Sequence, residues 1–105
     1  MGDTHFNSVQ NAQVATVELA GHIQGDATAT LQKLESRMQG ADLMVISCTH
    51  LIRVDFSAAG TLLNWVSARQ SEGRVVQFSD VHRLVAAFFH VIGITEHAKV
   101  TLRSR

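Results

Sequence analysis

The order of apolar and polar residues predicts an α/β fold: a mixed sheet of four or five strands, opened by an N-terminal hairpin and covered by three to four helices. Three observations carry this. Short β-rich runs alternate with stretches of helical periodicity from about residue 26 onward. Leu43-Met44-Val45-Ile46 is a continuous apolar run, too short for a helix and bounded by turn signals. Gly40, Gly73 and Gly93 each stand where a helical stretch should stop, the place of a left-handed C-cap. Alternating strands and helices imply right-handed parallel crossovers.

The chain then reads as follows. Residues 1–8 are polar with weak preferences, and residues 1–4 read as a disordered or appended start. His5–Gln10 is a short edge strand, Asn11-Ala12 a turn, and Val14–Leu19 a second strand that pairs back as the hairpin. In that second strand Val17 and Leu19 share one face, Thr16 and Glu18 the other. Gly21 and Gly25 bracket a loop, and Asp26 stands where a helix cap is wanted. Ala27, Leu31, Leu34 and Met38 recur at helical spacing. Leu43–Ile46 is expected to be buried on both faces of the sheet, and Ser47–Arg53 to be a connector.

Val54–Gly60 is then the turn from strand to helix, with Ser57 as the cap. The helix spans Thr61–Gln70, and its apolar stripe is Ala59, Leu62, Leu63 and Val66, with Trp65 on the flank. Arg74–Phe78 is a strand. Ser79 or Asp80 caps a last helix whose stripe is Val81, Leu84, Val85, Phe88 and Ile92, and Ile94 folds back over its end. Lys99–Leu102 is a final edge strand.

Bulk properties exclude several roles. With 105 residues, 46% apolar, the chain is expected to be one domain over residues 1–105 with its own core. The formal net charge is zero, which leaves no basic field for nucleic acid and no polybasic cluster for a membrane surface. One cysteine, Cys48, fits a reducing compartment. No apolar run is long enough to span a bilayer, so direct membrane insertion is not expected and the cytoplasm is the expected location.

Catalytic chemistry is hard to assemble. Of the six histidines, only His82 and His90 share a helix, and a separation of two turns is too far for one metal ion, so no metal site is expected. Cys48 with His50 lacks an orienting third group, and a lone buried cysteine is more often a small hydrophobe. There is no phosphate loop and no carboxylate pair. No catalytic residue and no cofactor is therefore expected. Asp55 reads as a carboxylate favoured by a helix dipole, and Trp65 as a packing residue or a partner anchor. Strand ends and helix starts are where sites are built in such folds, which points to residues 55–61.

Val54-Asp55-Phe56-Ser57-Ala58-Ala59-Gly60-Thr61-Leu62-Leu63, set between Leu43–Ile46 and Val75–Phe78 with the helix of Val81–Ile94 after them, resembles the centre of a STAS domain. That family includes anti-anti-sigma factors and the STAS subunit of a lipid-asymmetry ABC transporter. The resemblance implies a non-enzymatic interaction domain, acting on a transporter ATPase subunit or, alternatively, on an anti-sigma-type kinase. A nucleotide- or lipid-binding module is a further alternative, and a homodimer is open. The implied partner-binding residues are Asp55, Phe56, Ser57, Ala58, Ala59, Gly60, Thr61, Asn64 and Trp65. Aligned on Gly60, the family's phosphoacceptor position holds Ala58, which has no hydroxyl, so phosphorylation there is not possible.

Overall fold

Four parallel strands lie side by side in the order β1-β3-β5-β6: β1 (Val14–Glu18), β3 (Leu43–Ser47), β5 (Val75–Val81) and β6 (Lys99–Leu102). The computed structural model describes residues 13–104. A separate parallel pair joins β2 (Gly21–Ile23) to β4 (Leu51–Val54). Among the described residues three helices follow strands: α1 (Thr28–Arg37), α2 (Ala59–Ser71) and α3 (Arg83–Ile92). The α/β class and the helix-on-sheet layering are as expected. The expected first hairpin strand, His5–Gln10, lies outside the described residues. Among the described residues every ladder is parallel, so the sheet is not mixed there.

Each crossover steps one strand in the same direction. Right-handed connections taken repeatedly in one direction place every helix on one face of the sheet. Burial follows. Met44 pairs in register with Ala15 and Val76, and Ile46 with Val17 and Phe78. Met44, Ile46, Val76 and Phe78 are all buried beneath the helices. Val45, Gln77 and Ser79 alternate to the other side and are only half-buried. The expectation that Leu43–Ile46 is covered on both faces is therefore corrected: one layer of helices covers one face.

The helices supply the complementary surface. Ala27, Leu31, Leu34 and Met38 are all buried, as their spacing predicts. So are Ala59, Leu62 and Val66 of α2. Phe89 of α3 meets Phe78 with ring centroids 5.1 Å apart and tilted by 55°, a geometry worth about 0.5–1.5 kcal/mol beyond simple burial. The α3 stripe differs from expectation. Val81 is the buried end of β5, and Leu84 is 71% exposed. The buried line runs instead through Val85 and Phe89, with Ala86, Phe88 and Ile92 against its edge. Gly93 closes α3 with φ of 95°, and Ile94 is fully buried behind it.

Two strands were not foreseen. β2 and β4 prolong β1 and β3 past a bend, held by Leu19 N–H to Ser47 O and Gly21 N–H to His50 O, both 2.9 Å. They are three and four residues long, too short to show alternation. The supposed loop at Gly21 and the connector before Val54 are thereby corrected.

Candidate functional site

The carboxyl ends of the strands and the amino ends of all three helices meet at one rim, as crossover geometry requires. The turn from β4 to α2 sits at its centre. Asp55 leaves β4 in extended conformation with its N–H on Ile23 O at 2.7 Å. Phe56–Ala58 then make one 3-10 turn before α2 begins at Ala59.

Ser57 does not cap α2, contrary to expectation, because the intervening 3-10 turn points its hydroxyl elsewhere. Ser57 Oγ accepts from Gly25 N–H at 2.7 Å and donates to Asp55 Oδ2 at 2.9 Å. It thus ties the turn to the loop before α1, 32 residues away in sequence. The Ser57 hydroxyl is also the first cause holding the Asp55 carboxyl below its ordinary range. Partial burial opposes that, and Arg53, at 3.4 Å, adds to it.

The other caps are set differently too. Asp26 Oδ1 accepts from both the N–H and the hydroxyl of Thr28 at the start of α1, although Ala27 holds the cap position. Neither Ser79 nor Asp80 caps α3. β5 continues through both, because Arg103 N–H pairs with Val81 O at 2.9 Å. Asp80 takes a left-handed φ of 56° where the β5–β6 register shifts. His82 is the cap, its Nδ1 accepting from Leu84 N–H at 3.1 Å.

The expected partner-binding residues divide three ways. Ala58 and Ala59 are core residues; Ala58 is 0% exposed, so both shape the turn and present no surface. Thr61, Asn64 and Trp65 border a hollow of about 320 Å³ between α1 and α2, and the Arg69 guanidinium lies 5.5 Å from the Trp65 ring centre. Asp55, Phe56, Ser57 and Gly60 lie at the rim. Phe56 is 77% exposed and leans into a different hollow, of about 510 Å³, shared with Ile52, Leu84 and Phe88. Ile52 and Leu84 were missed: the first lay in a supposed connector and the second was assigned to the buried stripe.

The weighed reactive groups do not converge. Cys48 is fully buried, donates weakly to Ile46 O at 3.6 Å, and its thiol is pushed up to about 12 by burial. His50 turns away to pair with Glu18. His97 Nδ1 meets Gln70 Oε1 at 2.6 Å, and His90 Nδ1 meets Thr95 Oγ1 at 3.2 Å. No group of three or more metal-ligating side chains gathers among the described residues. No described helix is long and apolar enough to cross a membrane.

A parallel sheet covered on one face by crossover helices, with a short turn into α2 at its carboxyl rim, defines a STAS-type α/β domain. The chain belongs to the STAS domain family: the family model described as Mlab, STAS domain, matches residues 6–103. Among solved structures it is similar to a sulfate transporter family protein from Wolinella succinogenes, with a TM-score of 0.67 over 84% of this chain and 75% of that one, at 13% identity. That likeness concerns the fold. No curated protein matches the sequence. STAS domains are generally non-enzymatic and commonly mediate protein–protein interaction.

Proposed function

We propose that this domain is a cytoplasmic, non-enzymatic regulatory module that binds a protein partner over the start of α2. Its partner is the ATPase subunit of an ABC-type phospholipid transporter, to which it is a regulatory subunit or a fused domain. Family membership supports the class. The single observation that carries the site is Gly60. It lies exposed in the first turn of α2, outside the left-handed region, and a Cβ there would meet nothing within 4 Å. The fold gains nothing from glycine at this position, where it costs about 0.5–1 kcal/mol relative to alanine. A partner backbone pressed against the helix start would require it.

The alternative, a phospho-switched antagonist of an anti-sigma kinase, has less support. The aligned position holds buried Ala58, and the neighbouring Ser57 hydroxyl is already engaged on both sides. The deciding experiment is co-expression with the ABC ATPase of the same genome, followed by gel filtration. The wild type should co-elute with the ATPase, and Gly60→Arg should not, with its melting temperature unchanged or raised. Co-elution that survives Gly60→Arg removes the start of α2 from the interface.

A further inference from the structure

The turn accounts for only part of the exposed chemistry on this rim. Beside it, Ile52 of β4 is 75% exposed and Leu84 of α3 is 71% exposed, next to Phe56 at 77%. These side chains stand out from the surface instead of filling the core. They flank two confluent hollows of about 590 and 510 Å³ that share Ile52 and Leu84 and are continuous with the turn through Phe56. Contiguous apolar side chains left in water are the mark of a contact surface.

Charge around this groove is mostly positive: the two hollows are lined by Arg53 and Arg103 and by one carboxylate, Asp55, while Asp80 adjoins Arg103 without lining either hollow. Among the described residues, Arg103 meets no carboxylate; its guanidinium is fixed by the carbonyls of Cys48 at 3.1 Å, Thr49 at 2.7 Å and Asp80 at 3.4 Å. It lines the larger hollow with His50 and His82, and no carboxylate lines that hollow. α3 begins there as His82-Arg83, and its first turn carries no acidic residue. The helix dipole therefore adds to the positive end instead of being offset. Arg53, 67% exposed, stands on the opposite border, its one ion pair being the long contact to Asp55.

We infer that the groove between β4 and α3 is a second docking surface for a protein partner, and that it takes an apolar segment flanked by acidic residues. This rests on the protein-interaction reading above and adds to it a separate surface and the chemistry of its occupant. Apolar side chains of the segment seat against Ile52, Phe56, Leu84 and Phe88. Its carboxylates face Arg103 and the start of α3, where Arg83 adds to the positive end. Complementary charge of this kind orients the segment and speeds its association.

The test is selection of a random dodecapeptide display library on the full chain, followed by titration of the enriched peptide in synthetic form. Enriched peptides should pair Leu, Ile or Phe with Asp or Glu. Leu84→Asp and Ile52→Asp should each weaken the synthetic peptide about tenfold or more, as loss of an interface anchor does. Arg83→Glu should weaken it several-fold, and added salt should do the same. Melting curves identify any variant that has failed to fold, and two independent apolar positions keep the test decisive. No enrichment, a consensus without acidic residues, or undiminished binding by both aspartate variants overturns the inference. So does a dimer in sedimentation that Leu84→Asp disperses, since a second copy would then own the groove. The two readings fail separately. If Gly60→Arg abolishes ATPase binding while Leu84→Asp changes nothing, the turn stands and the groove falls. If the peptide binds as described but the ATPase does not, the groove stands and the assigned partner falls.

Discussion

The two rims of the sheet handle charge in opposite ways, although both leave some apolar side chains exposed, Val14 and Val75 at one and Ile52, Phe56 and Leu84 at the other. At the amino-terminal rim, where α1 and α2 end and β5 begins, Arg74 is almost fully committed. It donates to Glu35 at 2.8 Å, Glu72 at 3.0 Å, and the carbonyls of Ala41 and Met38 at 2.9 and 3.0 Å. Arg69 bridges the same two glutamates. At the carboxyl-terminal rim, Arg103 binds only carbonyls, Arg53 holds Asp55 loosely, and Ile52, Phe56 and Leu84 face water. The first rim closes its arginines with carboxylates, whereas the second closes Arg103 with carbonyls and leaves three larger apolar side chains in water. The difference is one more support for the interaction surface proposed at the carboxyl rim.

The largest effect is expected inside the turn. Ala58→Glu places a carboxylate at a fully buried position with no partner, and the fold should be lost or destabilised by more than about 4 kcal/mol. Circular dichroism during thermal melting reads this directly. A cooperative, wild-type melt would mean that the turn is far looser than its burial indicates.

Next in size is the fastened rim. Arg74→Ala leaves Glu35 and Glu72 without their main cation and uncovers the carbonyls of Met38, just past α1, and of Ala41. A loss of about 3 kcal/mol is expected for a partly buried network of this kind, measured as a lower urea midpoint at unchanged slope. At the open rim, Leu84→Asp and Ile52→Asp should each move stability by less than about 0.5 kcal/mol, since neither side chain is packed. Equal losses at the two rims would erase the distinction.

Between these lies the Ser57 tie. Ser57→Ala removes the acceptor of Gly25 N–H and the donor to Asp55, and about 1 kcal/mol should be lost. Faster amide exchange at Gly25 is the specific sign of the broken tie.

Acid separates the rims more gently. Asp55 is held low first by the Ser57 hydroxyl, and Glu72 first by its bond from Arg74. A carboxyl whose folded pKa is depressed contributes stability that is fully present above its unfolded value, near 4, and that is lost as pH falls through the folded value. Melting temperature should therefore drop below about pH 4, and in Arg74→Ala the Glu72 share of that drop should shrink, with Arg69 alone left beside it. A pH profile unchanged by Arg74→Ala would deny the linkage.

Sequence reading reached the helices of this fold more easily than its rims. The buried faces of α1 and α2 were legible because burial repeats every three to four residues, over about three turns in α1 and two in α2. The cap at Gly93 was legible because a left-handed closing residue favours glycine. What stayed hidden depends on long-range neighbours. β2 and β4 exist only because they continue a ladder begun by β1 and β3. Leu84 reads as core by spacing, yet α3 is rotated so that Val85 and Phe89 face the sheet. Ala58 looked like open surface because small residues mark both close approach and tight packing, and here it is packing. Whether the turn binds as proposed rests on Gly60, whose open surroundings no sequence pattern displays.

Cys48 has a practical consequence. The thiol is sealed just past the end of β3, close beneath the open rim, and burial pushes it up to about 12, which suppresses the reactive thiolate. A thiol reagent can label it appreciably only when that end of the sheet opens. The chain thus carries a single internal clock for rim opening, readable by mass without a mutation. Occupancy of the rim by a partner should slow that clock in proportion to how firmly the partner holds it shut.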